Sequence, residues 1–579
     1  MSNRFQVSGT NAAARFTLKI HRGDGMCLLA MNWRPGRPPD DFVGFAIEYQ
    51  EPQGDRFYAL KNRLGFPGAN SAVNPNKLST RLSPIQKFRW VHFPRNAELE
   101  GAFVYRVTPV FMNAADELSY GEAQEARIQL RRETYPGRLN VTFTRGFVSS
   151  QAFVDKYGAA SIPALLPPLA AKGLDFVASH PKAAEAHAWM GFEARSAILE
   201  LLDQAIADPK AMVRVIAYDL NEPAIVTRLE RLGGRLRIII DDSADHGKPG
   251  SAESRAAKLL ARTATEANVR RQHLGGLQHN KTLIVNGPTV KAVIGGSTNL
   301  SWRGIYVQNN NAIILRGAGP VRRFGEAFEN FWASDAAADF GRTDSAAWRK
   351  LSLKGINAEI NFSPRLENNA VLEAVAKDLR DGTTSSLFFS LAFLSITPGA
   401  IRDALKAITA DKRVFCYGMA DKQVKGLHGE KAGGVALQKP DGGKMTVIYP
   451  KELARNLPQP FKAEPTGGGG IRMHHKFLVI DFDLPTARVY TGSFNFSKAA
   501  DTKNGENLLC IRNRRVATAY MIEALRIFDH YHFRVATAAA KQAGRKLLLA
   551  KPPRKPGESP WWLDDYTNDR KKLDRELFA

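Results

Sequence analysis

Short runs of apolar and β-branched residues, broken by turn clusters, dominate the first 136 positions of the chain. Phe16–His21, Met26–Trp33, Phe42–Gln50, Phe57–Leu60, Phe88–Phe93, Phe103–Met112 and Ala126–Leu130 read as strands, separated by RPGRPPD, EPQGD and MNAADELSYG among others. About seven short strands punctuated in this way predict an antiparallel sandwich. From about residue 137 the period lengthens. ARSAILELLDQAIAD has the spacing of an amphipathic helix, and VRVIAYDL is an apolar strand. IVTRLERLGG is a helix ending at glycine, and RLRIIIDDS is a second strand. Strands alternating with helices predict an α/β layer around a buried sheet. The same order returns in AVLEAVAKDLRDG, SSLFFSLAFL, GAIRDALKAITAD and KRVFCYG, which points to an internal duplication. The expected organisation is a β-sandwich over 1–136, α/β lobes over 137–345 and 346–537, and a C-terminal tail over 538–579. Prolines and charges in the tail argue against an independent domain. Trp561 and Trp562 offer a clip onto the body.

Composition narrows the picture only slightly. Over 579 residues a 44% hydrophobic content suits globular domains with proper cores. No run of about 18 uncharged apolar residues is present, so no spanning helix is expected. The first twenty residues lack the apolar stretch of a secretory signal. Cys27, Cys416 and Cys510 lie far apart, which speaks against a disulfide framework or zinc knuckle and fits a reducing, cytoplasmic setting. No cofactor or metal is expected. The formal charge is +24, of which about +10 falls in Ala346–Thr537. Such a surface favours polyanions, whether nucleic acid, an anionic membrane face or a phosphorylated small molecule, without choosing among them.

The chemistry lies in a repeat. HNKTLIVNGPTVKAVIGGSTNLSWRG and HHKFLVIDFDLPTARVYTGSFNFSKAA each open an apolar strand with His-x-Lys and then reach a small-residue turn. His279 and Lys281 precede Gly296, Ser297 and Asn299; His474 and Lys476 precede Gly492, Ser493 and Asn495. Eleven residues past each Asn come Asn310-Asn311 in the first copy and Glu506-Asn507 in the second. His180-Pro-Lys182 and His246-Gly-Lys248 share the spacing but neither opens an apolar strand, so both read as noise.

Residues i and i+2 of a strand project to one face, so each histidine and its lysine point together while His475 points away. The Gly-Ser-x-Asn turn of the same hairpin can add a hydroxyl and an amide. Two such half-sites facing each other suit a phosphodiester. The two lysines, with Ser297, Asn299, Ser493, Asn495 and Asn310, hold the phosphate oxygens. One imidazole attacks phosphorus and the other protonates the departing alcohol. Neutral imidazole is available near pH 7, so no metal is needed to make the nucleophile. Glu506 can fix a histidine tautomer as the acid of a triad does, whereas Asn310 can only orient. The half-sites are therefore unequal.

These residues resemble the HxKxxxxD signature of the phospholipase D superfamily, including its downstream Gly-Ser-x-Asn, over about 400 residues. The resemblance implies two duplicated α/β lobes around a pseudo-twofold axis and a covalent phosphohistidine, with His279 as nucleophile and His474 as acid. The last acid of the signature is Asp481 in the second copy but Asn286 in the first. Its strand parity is opposite to that of the histidine, which makes it a structural hydrogen-bonder. FVYRVTPVFMNAADELSYGEAQEARIQL resembles the last hairpin of fibronectin type III domains.

Three functions follow. A phospholipid phosphodiesterase is slightly favoured, because both motifs lie in one long chain. A nuclease or nucleic-acid end-processing enzyme fits the pI of about 9.9. A binding or scaffold protein with a degenerate site fits Asn310. Peripheral contact with a membrane or DNA through the basic surface goes with the first two. The glycine run 467–470 reads as a hinge, and His530 and His532 as solvated or core histidines.

Overall fold

The computed structural model describes the chain apart from residues 1–4, 69–77, 98, 131–132, 147–152, 154–155, 169, 367–369, 412, 421–423, 425–426, 428–434, 439–445 and 449–472. The glycine run 467–470 lies outside the described residues. Two compact units emerge: Met1–Arg132 with Met521–Ala579, and Glu133–Tyr520.

In the first unit, strands Phe16–Arg22, Cys27–Trp33 and Arg89–His92 form one antiparallel sheet with Gln6–Ser8. Phe42–Gln50 and Phe103–Met112 centre the second. Alternating side chains of both sheets, among them Phe16, Trp33, Phe42, Phe45, Phe103 and Tyr105, form one core. The C-terminal segment completes it. Trp562 is 1% exposed within that core, and its indole N–H donates to the Pro39 carbonyl at 3.2 Å. Trp561 stacks on Phe88 and donates to the Phe42 carbonyl. Helix Asp569–Phe578 ends with the Phe578 carbonyl 2.6 Å from His21 Nε2. The charged tail is thus held by contacts with the sandwich rather than by a core of its own. All three cysteines are buried and free.

The second unit contains two sheets with one plan. In the first lobe the strand order is Leu139–Phe143, Asn311–Arg316, Lys291–Gly296, Lys281–Asn286, Met212–Ala217, Leu236–Ile240 and Val269–Arg271. In the second it is Arg349–Lys350, Asn357–Ser363, Glu506–Arg512, Arg488–Gly492, Lys476–Ile480, Ser386–Leu391 and Phe415–Ala420, extended by Val435–Gln438 and Thr446–Ile448. Corresponding strands pair alike: Met212–Ala217 runs parallel to Leu236–Ile240, and Ser386–Leu391 parallel to Phe415–Ala420. Each lobe packs its helices on its own apolar cluster. The order is a duplicated α/β fold, as the repeated helix–strand pattern predicts.

The unequal signature acids have a structural explanation. Asp481, in the left-handed region at φ 50°, accepts the backbone amides of Thr384, Ser385 and Ser386 at 2.8–3.1 Å. It thereby ties the hairpin to the start of strand Ser386–Leu391. Asn286 is exposed and makes no such clamp. In the first lobe the tie runs the other way: Asp208, on the helix-to-strand turn, accepts the amide and hydroxyl of Thr289 on the hairpin.

Candidate active site

Each histidine stands at the entrance to its central strand, where backbone pairing with the other lobe begins. Gln278 bridges to Gly505, and Asn309 bridges to Met473. The Gly505 amide donates to the Leu277 carbonyl at 2.8 Å, and the His474 amide to the Asn309 carbonyl at 3.1 Å. Side chains repeat the exchange: Asn507 donates to Asn280 at 2.9 Å, and Asn311 lies 3.4 Å from His475. These paired contacts relate the lobes by a pseudo-twofold and bring both His-x-Lys motifs to one cluster. His279, Lys281, His474, Lys476 and Glu506 are all at most 4% exposed. Parity holds: His475 turns away onto Phe143 and Phe477.

The orienting residues are crossed between lobes. His279 of the first copy places Nδ1 2.9 Å from both oxygens of Glu506 in the second. His474 of the second places Nδ1 2.9 Å from Asn310 Oδ1 in the first. Asn310 Nδ2 donates to the Gly304 carbonyl at 2.8 Å, which fixes its oxygen towards His474. His474 therefore donates from Nδ1 and keeps a lone pair on Nε2, which receives Lys476 Nζ at 3.1 Å. Both lysines also donate to the carbonyl of their own histidine.

Ser297, Ser493 and Asn310, expected at the phosphate, hydrogen-bond within the cluster. Ser297 Oγ donates to Asn310 and accepts the Asn311 amide; Ser493 Oγ accepts the Asn507 amide and hydrogen-bonds Glu506. Each hydroxyl proton is committed to the residue that orients a histidine. The turn asparagines differ. Among the described residues, Asn299 Oδ1 and Asn495 Oδ1 have no hydrogen-bond partner, and Asn495 is partly exposed. A phosphate oxygen is itself an acceptor, so only the Nδ2 groups of these asparagines can donate to one.

Burial governs the protonation of the cluster. It drives both His279 and His474 well below the usual imidazole range, with Lys281 and Lys476 adding to the effect, so both rings are neutral. Burial also brings Lys281 down to about 8, against the pull of Glu506, Asp219 and Asp241. The Glu506 carboxyl is pushed up to about 8 by burial, against Lys281 and Ser493.

Several neighbours escaped the sequence reading. The Tyr218 ring lies 4.8 Å from His279, with Lys281 Nζ 4.7 Å above it. His246 contacts the same Tyr218 ring at 4.6 Å, so one of the two apparent decoys borders the site. In the second lobe Phe393 takes the place beside His474, 6.1 Å away. The signal for these residues was present: Tyr218-Asp219 and Asp241 follow the carboxyl ends of parallel strands, where α/β sheets collect ligands. Among the described residues, Asp219, His246 and Glu253 bring possible metal-ligating atoms within 4.8 Å of one another. There the His246 ring nitrogens already face Asp219 and Asp241.

Comparison with known proteins places these features. The family model described as "Cardiolipin synthase, PLD-like domain" matches residues 202–332 and 384–528. A phospholipase D of Rickettsia felis is 44% identical over 48 residues, which is 8% of this chain and 22% of that protein. The chain thus spans about a fifth of the relative it matches. The phosphatidylserine synthase of Haemophilus influenzae Rd KW20 aligns with 59% of this chain and 85% of its own, at 13% identity and TM-score 0.39. Nuc of Salmonella typhimurium, a phospholipase D family member, aligns with 24% of this chain and 87% of its own, at 25% identity and TM-score 0.21. The family model falls twice, once on each copy of the His-x-Lys hairpin and its surrounding lobe, and so residues 202–332 and 384–528 each carry the phospholipase D-like pattern.

Proposed function

We infer that the protein is a phosphodiesterase that acts through a phosphohistidine, and that its substrate is a phospholipid. The observation that carries the reading is the crossed pairing, which gathers two neutral imidazoles, two lysines and one carboxylate into a single buried cluster. His279 is the nucleophile. With Nδ1–H held by Glu506, its Nε2 lone pair attacks phosphorus, and the phosphorus–oxygen bond to the alcohol breaks. His474, protonated at Nε2 from solvent once the anionic substrate is bound, gives that proton to the oxygen. The resulting base then takes a proton from water, hydroxide attacks phosphorus, and the phosphorus–nitrogen bond breaks to restore neutral His279. Lys281, Lys476, Asn299 and Asn495 hold the non-bridging oxygens.

The inequality of the half-sites assigns the roles. A phosphorylated imidazole carries positive charge that Glu506 can balance and Asn310 cannot. His474 gains its proton only when the anionic substrate supplies the missing negative charge beside it. The phospholipid reading is supported by the named relatives and by the apolar wall of the second lobe, where Phe393 flanks His474 and Ile396 is 63% exposed. No helix among the described residues is long and apolar enough to cross a membrane.

The test is incubation in EDTA with zwitterionic and anionic phospholipid vesicles, plasmid DNA and single-stranded DNA. Release of headgroup alcohol without DNA cleavage is expected. DNA cleavage without lipid turnover replaces the substrate by nucleic acid. Turnover of neither, with no phosphohistidine trapped from a generic diester, removes the enzymatic reading in favour of a scaffold.

A further inference from the structure

His246 has the surroundings of a working residue. Its ring is clamped at both nitrogens, with Nδ1 2.7 Å from Asp241 and Nε2 3.2 Å from Asp219. Two carboxylates on one imidazole are satisfied together only when both nitrogens carry protons. Against the cost of burial, these hydrogen bonds lift His246 to about 10. The turn that carries it, Ala244–Gly247, is tied down as well: the His246 carbonyl accepts Arg271 Nη2 and Ser251 Oγ, each at 2.7 Å.

Two physical routes lead from this clamp to His279. Through the ring, Tyr218 contacts both His246 and His279, at 4.6 and 4.8 Å, while Lys281 lies over the same ring. Through the backbone, Asp241 uses its second oxygen to accept the amide of Gln278, the residue before His279, at 2.7 Å. By contrast, Lys248 is exposed on a surface ion pair with Asp245, so only the histidine of that apparent motif takes part.

We propose that His246 is a third histidine of the site, a positioning residue that braces Tyr218 against His279 and, through Asp241, fixes the backbone on which His279 is mounted. Its charge also stands among the cations that favour neutral His279, with Lys281 and Lys476. Asp219, Asp241, Glu253 and Arg271 face the His246 turn from their own elements, and Arg303 adds to the field at Asp219. The kinetic arm of the test rests on the phosphodiesterase reading; the spectroscopic arm does not.

The experiment compares His246→Gln and His246→Lys with the parent and with a distant control, His180→Gln. For His246→Gln, kcat on a soluble diester is expected to fall about 10- to 100-fold, the range typical of outer partners that orient a functional group, with KM within about threefold. The acid limb of kcat/KM moves to higher pH, because losing a nearby positive charge makes the His279–Glu506 pair easier to protonate. His246→Lys restores the position of that limb. In 15N-histidine spectra, the His279 ring signals shift in His246→Gln and not in His180→Gln. An unchanged pH profile together with unchanged His279 signals overturns the proposal. If the parent turns over no diester, the functional reading fails, and the histidine spectra alone decide the bracing.

Discussion

Replacing Glu506 by Gln preserves shape and removes one buried charge, which makes it the sharpest probe of the crossed site. Both Glu506 oxygens lie 2.9 Å from His279 Nδ1. A full imidazolium–carboxylate pair at that separation, with an effective dielectric of about 20, is worth roughly 6 kcal/mol. With about half the charge developed in the transition state, the share is roughly 3 kcal/mol. At about 1.4 kcal/mol per decade, kcat is expected to fall about 10²- to 10⁴-fold. KM should stay within about threefold, since the asparagines and lysines that meet phosphate are untouched. Stability moves the other way. The folded carboxyl sits at about 8 against 4.5 unfolded, so the folded chain retains a proton that the unfolded chain has lost between those values. The contribution of Glu506 to stability therefore declines as pH rises through that window. Gln escapes this decline, so the gain in Tm over the parent should be larger at about pH 8.5 than at about pH 5, the two ends of the window. Steady-state hydrolysis of bis-p-nitrophenyl phosphate and thermal melts at both pH values provide the readouts. A kcat within tenfold of the parent, or a Tm change independent of pH, refutes the reasoning.

Other outcomes follow from the same geometry. The free-enzyme profile of kcat/KM should be a bell centred near pH 8, because Glu506, raised to about 8, must lose its proton while Lys281, lowered to about 8, must keep its own; a flat profile from about pH 6 to 10 contradicts this pairing. His474→Ala should lose at least about 10³-fold on an alkyl diester yet still release p-nitrophenol once per site and accumulate phosphohistidine, since that leaving group needs no acid; acid-gel labelling checks it. His279→Ala should form no adduct with either substrate. Trp562→Ala should cost about 3–5 kcal/mol in the unit that contains it, measured by urea unfolding followed by tryptophan fluorescence, because the indole lies inside the sandwich core.

The sequence alone determined the parts of this protein that depend on local period. Alternation of strand and helix foretold two α/β lobes, and a spacing of two placed each histidine beside its lysine with His475 turned away. The duplication was legible because both copies keep the same order of apolar runs. Tertiary structure decided which groups serve which histidine. Gln278 meets Gly505 and Asn309 meets Met473, so the strand entrances of the two lobes interleave, and Glu506 serves the histidine 227 residues before it rather than that of its own copy. The same packing links Ser297 and Ser493 to the residues that orient the histidines, and brings His246 against Tyr218. It also set Asp208 to do in one lobe what Asp481 does in the other. Side-chain period fixes only the direction in which a residue points from its own strand. The partner it meets there is set by how separate strands pack, which no local spacing records.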